Sequence, residues 1–308
     1  MRRGESGLNF LLGIDKPTGL SSHDVVNRVR RVLGERRVGH AGTLDPAASG
    51  VLVVGVGQAT RLMGLLTSDT KAYLAAISFG TQTSTDDAEG EVVRTAPVPE
   101  SLMDADKARE TLRSFLGVQM QVPPAYSAIS VNGERAYAKA RAGKEVELEP
   151  RQIEVLQAEL ISVMGEGCTW LCAFVVSKGT YIRALARDIG IATGSAAHLS
   201  QLTRTASGFV RSANCVSLER LAELGCESVR SVILDPVAAL GLPVRHLRGN
   251  EMNAVQCGRA LELEVDKSKH GDRYAIVEGD RLYGVWRATG SQLRPIANFP
   301  QGIEGVKQ

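Results

Sequence analysis

Residues 39–61 read GHAGTLDPAASGVLVVGVGQATR and constrain this chain more than any other stretch. The apolar run 51–56 (VLVVGV) has the length of a strand buried on both faces and is far too short to span a membrane. Just ahead of it Asp45 sits between Leu44 and Pro46, with Gly39, Gly42 and Gly50 close by in sequence. Pro46 fixes its own φ and pushes Asp45 toward extended backbone, while glycines permit turns and the close approach of a ligand. A carboxylate held this way is a competent nucleophile at an electrophilic carbon. It is equally an ordinary turn residue, because Asp favours turns by itself. The stretch alone leaves both readings open.

The flanking sequence predicts interleaved strands and helices. Residues 11–16 read as a strand ended by Pro17, Thr18 and Gly19; Ser21 and Ser22 then cap a helix with Asp24 in its first turn and Gly34 at its end. Val25, Val26, Val29, Val32 and Leu33 recur at helical spacing, and the arginines fall mostly off that stripe. Further strands are expected at 51–56, 71–79, 153–163, 168–176 and 199–204. Helices are expected at 61–66, 105–116, 218–224 and 232–239, and from the end of the segment 177–183 through Ile189. Residues 81–90 (TQTSTDDAEG) read as a polar loop. Residues 118–150 differ in kind, as an excursion with a turn at Asn132-Gly133 and a short charged helix at 134–142. After Gly241, Leu242 and Pro243 the pattern changes to short strands at 273–277, 281–286 and 293–299, with Gly279-Asp280 as a hairpin turn. A domain boundary is therefore placed near residue 242.

A net charge of +2 does not by itself mark a nucleic-acid binder, but the distribution is uneven. Residues 1–61 hold nine Lys or Arg against five acidic residues, and residues 62–120 hold five against nine. Arg28, Arg30, Arg31, Arg36 and Arg37 directly precede the glycine-rich stretch, an arrangement that suits phosphate and equally a solvated helix face. Five scattered cysteines argue against a disulfide framework or a zinc site, and Cys168 and Cys172 read as buried small hydrophobes. The N-terminal arginines have no apolar segment behind them, so a cytoplasmic protein is expected. His40 has no metal-ligand spacing around it, and GVGQAT (55–60) lacks the last glycine of a dinucleotide fingerprint, which leaves a tight strand-to-helix turn. No metal and no other cofactor is expected.

His40 suits a general base or an RNA contact. Tyr73 and Tyr181 suit either a core position or a platform for an extruded base. An arginine such as Arg183, set beside a catalytic Asp, would keep the carboxylate ionised and oriented.

In order along the chain stand DKPTGLSS (15–22), GHAGTLDP (39–46), KAY (71–73), PPAYSA (123–128) and SKGTYIR (177–183). In these blocks the chain resembles the bacterial tRNA pseudouridine-55 synthases of the TruB family. The resemblance implies an α+β fold, with a mixed, largely antiparallel central sheet flanked by helices. It implies a catalytic domain over 1–241 with a thumb-like insertion at 118–150, and a small β-rich PUA-type RNA-binding domain over 242–308. The activity implied is a cofactor-free isomerase that flips a uridine of the tRNA T-loop and converts it to pseudouridine. Asp45 would be the nucleophile, with His40 contacting the RNA and Tyr73 stacked on the uracil. Tyr181 and Leu202 would line the pocket, Arg183 would pair with the nucleophile, and Lys16 would support the site from the first strand. The partner implied is the T-arm of tRNA, bound by a monomer without guide RNA or membrane. Two other readings stay open: a guide-RNA-dependent synthase, which shares the Asp motif but lacks the insertion, and a tRNA-folding chaperone. Ser84 stands where many relatives carry Asp, so Asp87 is expected to take any polar role in that loop.

Overall fold

The segment FLLGIDK becomes strand β1 (Phe10–Lys16), and its alternating side chains organise what surrounds it. The computed structural model describes residues 6–67, 70–127, 129–131, 134–137, 148–165, 167–249, 251–263 and 271–307. Phe10, Leu12 and Ile14 share a core with Val25, Val26 and Val29 of helix α1 (Ser22–Leu33). Leu11 belongs to another core, shared with Val51 and Val53 and with Val277, Phe299 and Ile303 from the far end of the chain. Covered on both faces over residues 10–14, the strand has no need of a polar side there, and its charges, Asp15 and Lys16, come only at its end. Helix α1 starts at Ser21, whose hydroxyl accepts from the Asp24 amide while Asp24 caps in return, and it ends at left-handed Gly34. Strands β2 (Val38–Ala41) and β3 (Ser49–Val56) follow; β3 runs antiparallel to β1 from Phe10↔Val56 to Lys16↔Gly50, and β2 pairs with it at His40↔Val54. The turn leaving β3 requires Gly57, at φ +60°, since a Cβ there would lie 2.0 Å from the Leu8 carbonyl oxygen. It is a 3₁₀ turn, Gly57–Leu62, leading into the short helix α2 (Met63–Leu66).

The chain forms two compact units, Met1–Asp69 with Ala206–Gln308, and Thr70–Thr205. The second contains β4 (Lys71–Phe79), β5 (Thr81–Thr83), β6 (Val92–Thr95), α3 (Ala105–Ser114), β7 (Gly117–Gln121), β8 (Ser130–Val131), β9 (Glu134–Arg135), β10 (Arg151–Met164) and β11 (Thr169–Val176). Helix α4 (Ile182–Ala192) and strand β12 (Ala197–Ser207) complete it. Strands β12, β4, β11, β10 and β7 lie side by side in that order, antiparallel from β4 onward. Ile77, Trp170, Phe174, Leu185 and Ile189 form the core beneath them, and the Trp170 indole donates to the Leu102 carbonyl at 2.8 Å.

Four expectations need correction in this unit. Residues 81–90 are not all loop, because β5 pairs with β6 at Thr81↔Thr95; β6 is wholly exposed, so neither partner shows an apolar alternation. Residues 117–121 belong to the sheet, with Val118 and Met120 facing solvent and Gln121 buried, an inversion that hides the strand from any polarity pattern. The expected helix at 134–142 starts two residues late, since Glu134–Arg135 form strand β9, paired with β8, and Ala136 and Tyr137 are helical; residues 138–142, like Asn132 and Gly133, lie outside the described residues. Strand β12 is longer than 199–204 at both ends.

The rest of the first unit contains β13 (Val210–Arg211), β14 (Cys215–Ser217), α5 (Leu218–Ser228), β15 (Ile233–Leu234), α6 (Pro236–Leu240), β16 (Val244–His246), α7 (Glu251–Gln256) and β17 (Leu261–Glu262). Strand β14 runs parallel to β1 at Ile14↔Val216, which makes the sheet mixed, and β15 pairs antiparallel with β1 at Leu11↔Leu234. The helix expected at 232–239 is therefore split, since Asp235 caps a new start with Pro236 in its first turn. Strands β18 (Arg273–Glu278), β19 (Arg281–Thr289) and β20 (Gln292–Glu304) form a five-stranded sheet in the order β16-β18-β19-β20-β17, with left-handed Gly279 in the expected hairpin turn.

Cys168 and Cys172 are buried, and burial pushes the Cys172 thiol up to about 12. Cys226 and Cys257 are exposed. Iodoacetamide at neutral pH is expected to alkylate Cys226 and Cys257 in the native protein, and Cys168 and Cys172 only after denaturation, as read by peptide mass spectrometry.

Candidate active site

Asp45 is half-buried, and its two neighbours are held by backbone contacts. On one side, the buried Ser22 hydroxyl donates to the Leu44 carbonyl at 3.0 Å and accepts from the Leu44 amide at 2.8 Å. On the other, the Pro46 carbonyl accepts from the Gly19 amide at 2.8 Å and from the Lys16 ammonium at 3.3 Å. The same ammonium, fully buried, also donates to the carbonyls of Pro17 at 2.9 Å and Leu20 at 2.6 Å. The Asp45 carbonyl closes the turn by accepting from the Ala48 amide at 3.1 Å. The loop after β1 and the first turn of α1 thus grip the Asp-Pro turn from both sides. Ser22 belongs with the site for this reason; by sequence it stands in the block 15–22 and reads as a helix-cap candidate.

His40 lies on β2, the strand that leads into this turn, and lines a cleft of about 550 Å³ together with Arg30, Arg36, Arg37 and Thr60. Arg30 and Arg37 are braced there, Arg30 by the Val38 carbonyl at 2.9 Å and Arg37 by the Thr60 hydroxyl at 3.1 Å. Arg28 and Arg31 face solvent while Val25, Val26, Val29 and Leu33 are buried, so α1 presents a basic face, and Arg36 just beyond its end is exposed as well. The unit that holds Asp45 therefore offers an anionic polymer a concave basic surface through His40.

The remaining sequence candidates lie in the second unit. Tyr73 stands opposite Phe174 across β4 and β11, half-buried, and packs with Leu202 of β12 against the same core. Tyr181 is the extended residue before α4, where the Gln121 side chain accepts from its amide at 2.9 Å and donates to its carbonyl at 3.2 Å. Gln121 is a site neighbour that sequence reasoning missed. Arg183, in the first turn of α4 and only 5% exposed, donates to the carbonyls of Thr85 and Tyr126, each at 3.0 Å. Its guanidinium also lies 3.5 Å from the Asp87 carboxylate, so in the loop where Ser84 stands Asp87 shares the polar contacts with Asp86, which pairs with Arg187 at 2.9 Å. Asp86 beside it is raised above its ordinary value by burial, against the pull of Arg187.

An α+β architecture with a large mixed sheet, a C-terminal β-rich domain and an Asp-Pro turn that follows the cleft-lining strand β2 in the chain defines the class: this is the pseudouridine synthase fold. A chain in the structure of an H/ACA RNP bound to a substrate RNA containing 2′-deoxyuridine superposes with a TM-score of 0.71 at 26% identity, covering 97% of this chain and 88% of that one. A chain of a Cbf5–Nop10–Gar1 complex gives 0.70 at 26% identity over 98% and 86%. The family model described as TruB family pseudouridylate synthase (N terminal domain) matches residues 30–182, and the one described as tRNA pseudouridylate synthase B C-terminal domain matches residues 183–240. Proteins named tRNA pseudouridine synthase B share 43% identity in Mycobacteroides abscessus, over 93% of this chain and 94% of that protein, and 45% in Rhodococcus jostii, over 92% and 95%. The chain belongs to the TruB family of pseudouridylate synthases and is an isomerase.

Proposed function

We propose that this enzyme converts a uridine in the T-loop of tRNA, position 55, to pseudouridine. The observation that carries the reading is the Asp45 turn, held through both neighbours and joined by β2 to an arginine-lined cleft. The reaction breaks the C1′–N1 bond and makes a C1′–C5 bond, with a proton leaving C5 and one taken up at N1. It needs positioning and a nucleophile rather than an oxidant or a phosphoryl donor. Asp45 is the nucleophile, and Arg183 pairs with it. Tyr73 stacks on the extruded uracil, and Tyr181 and Leu202 line its pocket. His40 and the basic cleft hold the RNA backbone; Lys16 holds the turn. Extrusion costs on the order of a few kcal/mol, which these RNA contacts offset.

Residues 1–241 act as the catalytic domain, the part of 118–150 beyond β7 as a thumb over the RNA and 242–308 as a PUA-type RNA-binding module. The protein works in the cytoplasm as a monomer on the tRNA T-arm. Unmodified tRNA incubated with the pure protein should acquire pseudouridine at that one loop position, mapped by carbodiimide-dependent reverse-transcription stops; tRNA left unmodified refutes the proposal. The likeness to Cbf5 favours one other reading, a guide-RNA-dependent enzyme, for which turnover would appear only once guide RNA and partner proteins are added. Tyr73→Leu is expected to lower kcat by about 10–100-fold while RNA affinity stays within about threefold, because stacking acts on the flipped base alone. A filter-binding assay beside single-turnover kinetics reads both quantities, and an unchanged rate removes Tyr73 from the site.

A further inference from the structure

Arg183 has a companion one helical turn further along α4. Arg187 lies on the same face of the helix and makes a parallel set of contacts. Its guanidinium meets the Asp86 carboxylate at 2.9 Å, the Val122 carbonyl at 2.8 Å and the Asp188 carboxylate at 2.9 Å. Arg183 reaches the Thr85 and Tyr126 carbonyls and Asp87. The two arginines therefore grip the same two segments, the acidic loop around 85–87 and the residues where the chain leaves the sheet at 122–126.

Asp86 is the residue between the two loop contacts of Arg183, and its backbone is left-handed at φ +59°. That conformation is unusual for a residue with a side chain, though Asp tolerates it better than most. It sets the direction of the Thr85 carbonyl and the Asp87 carboxylate on either side. The Asp86 carboxylate is buried, with Gln82 3.5 Å from its second oxygen, and its carbonyl accepts from the Leu199 amide at 3.0 Å.

We infer that Arg187 is a positioning residue: by pairing with Asp86 and holding the Val122 carbonyl, it sets the loop and the base of the insertion so that Arg183 is presented in its working orientation. The inference rests on the role proposed for Arg183 and adds the residue that keeps it in place. Lysine could not replace Arg187, because a single ammonium does not reproduce the planar fork that bridges Asp86, Val122 and Asp188.

The test uses the full chain acting on a T-arm stem-loop RNA, with kcat, KM and thermal midpoint measured together. Arg187→Met is expected to lower kcat at least tenfold with KM within twofold, and to lower the midpoint, because it strands a buried carboxylate. The double variant Asp86→Asn with Arg187→Met removes that stranded charge. Its midpoint should recover toward wild type while kcat stays at least tenfold down. Arg187→Lys should likewise recover more stability than rate. A kcat that returns to within twofold of wild type in the double variant, or that never fell in Arg187→Met, overturns the inference and leaves the functional reading intact. No pseudouridine from the wild-type protein overturns that reading and the inference with it.

Discussion

Replacing Asp45 with alanine is expected to lower pseudouridine formation by about 10⁴-fold or more, equivalent to roughly 5 kcal/mol of transition-state stabilisation. RNA affinity should stay within about threefold, because the arginines of the cleft supply it. The fold should persist as well. What holds the turn is the backbone on either side of Asp45: the Leu44 amide and carbonyl on Ser22, and the Pro46 carbonyl on Gly19 and Lys16. None of these contacts uses the Asp45 carboxylate. Product mapping, RNA binding and a thermal melt on the same preparation check the three statements together. Residual turnover above a hundredth of wild type would deny Asp45 its role as nucleophile.

Lys16→Met should be the most damaging change outside the carboxylate itself. Methionine has nearly the length of lysine and no donor, so it fills the same buried volume while the Pro17 and Leu20 carbonyls lose their partner. Losing part-buried hydrogen bonds to a charged group costs about 2–3 kcal/mol, readable in urea unfolding. The catalytic effect should be larger than that stability loss explains. With Pro46 no longer drawn toward β1, the turn can shift by a fraction of an ångström, and a small misplacement at a reacting centre costs about a hundredfold in kcat. A variant that is less stable but turns over at the wild-type rate would make Lys16 a fold residue only.

What the sequence made legible was local in origin. Helix α1 announced itself because its cap, stripe and terminal glycine all lie within a few residues of one another: Ser21 with Asp24, Val25 to Leu33, then Gly34. Strands β1 and β3 were legible because burial on both faces gives each an apolar run, residues 10–14 and 51–56. What escaped was made by partners distant in sequence. Strands β14 and β15 have three and two residues and exist because β1 offers them an edge. Strand β7 turns its apolar side chains outward, so no burial pattern marks it. The site divides the same way. Asp45, Tyr73, Arg183 and Ser22 stand in the motif blocks, although Ser22 acts on a backbone 22 residues away; Gln121 stands in none of them and acts through backbone contacts 60 residues away. The pair Asp86 and Arg187 is 101 residues apart in the chain, and nothing in either neighbourhood points to the other.

The division of the first unit between the two ends of the chain bears on how the protein is made. Leu11 and Val53 share their core with Phe299 and Ile303, and the Asn9 carbonyl accepts from the Glu304 amide at 2.8 Å. On a translating ribosome the opening strands emerge long before these partners exist, while residues 70–205 form one uninterrupted stretch. The middle of the chain can therefore begin to order first, and the nascent turn around Asp45 waits on Phe299 and Ile303, about 250 residues further on, to complete the core beneath it. Premature termination near residue 290 would leave an aspartate motif intact in sequence on a sheet lacking part of one face, a product destined for proteolysis rather than slow catalysis.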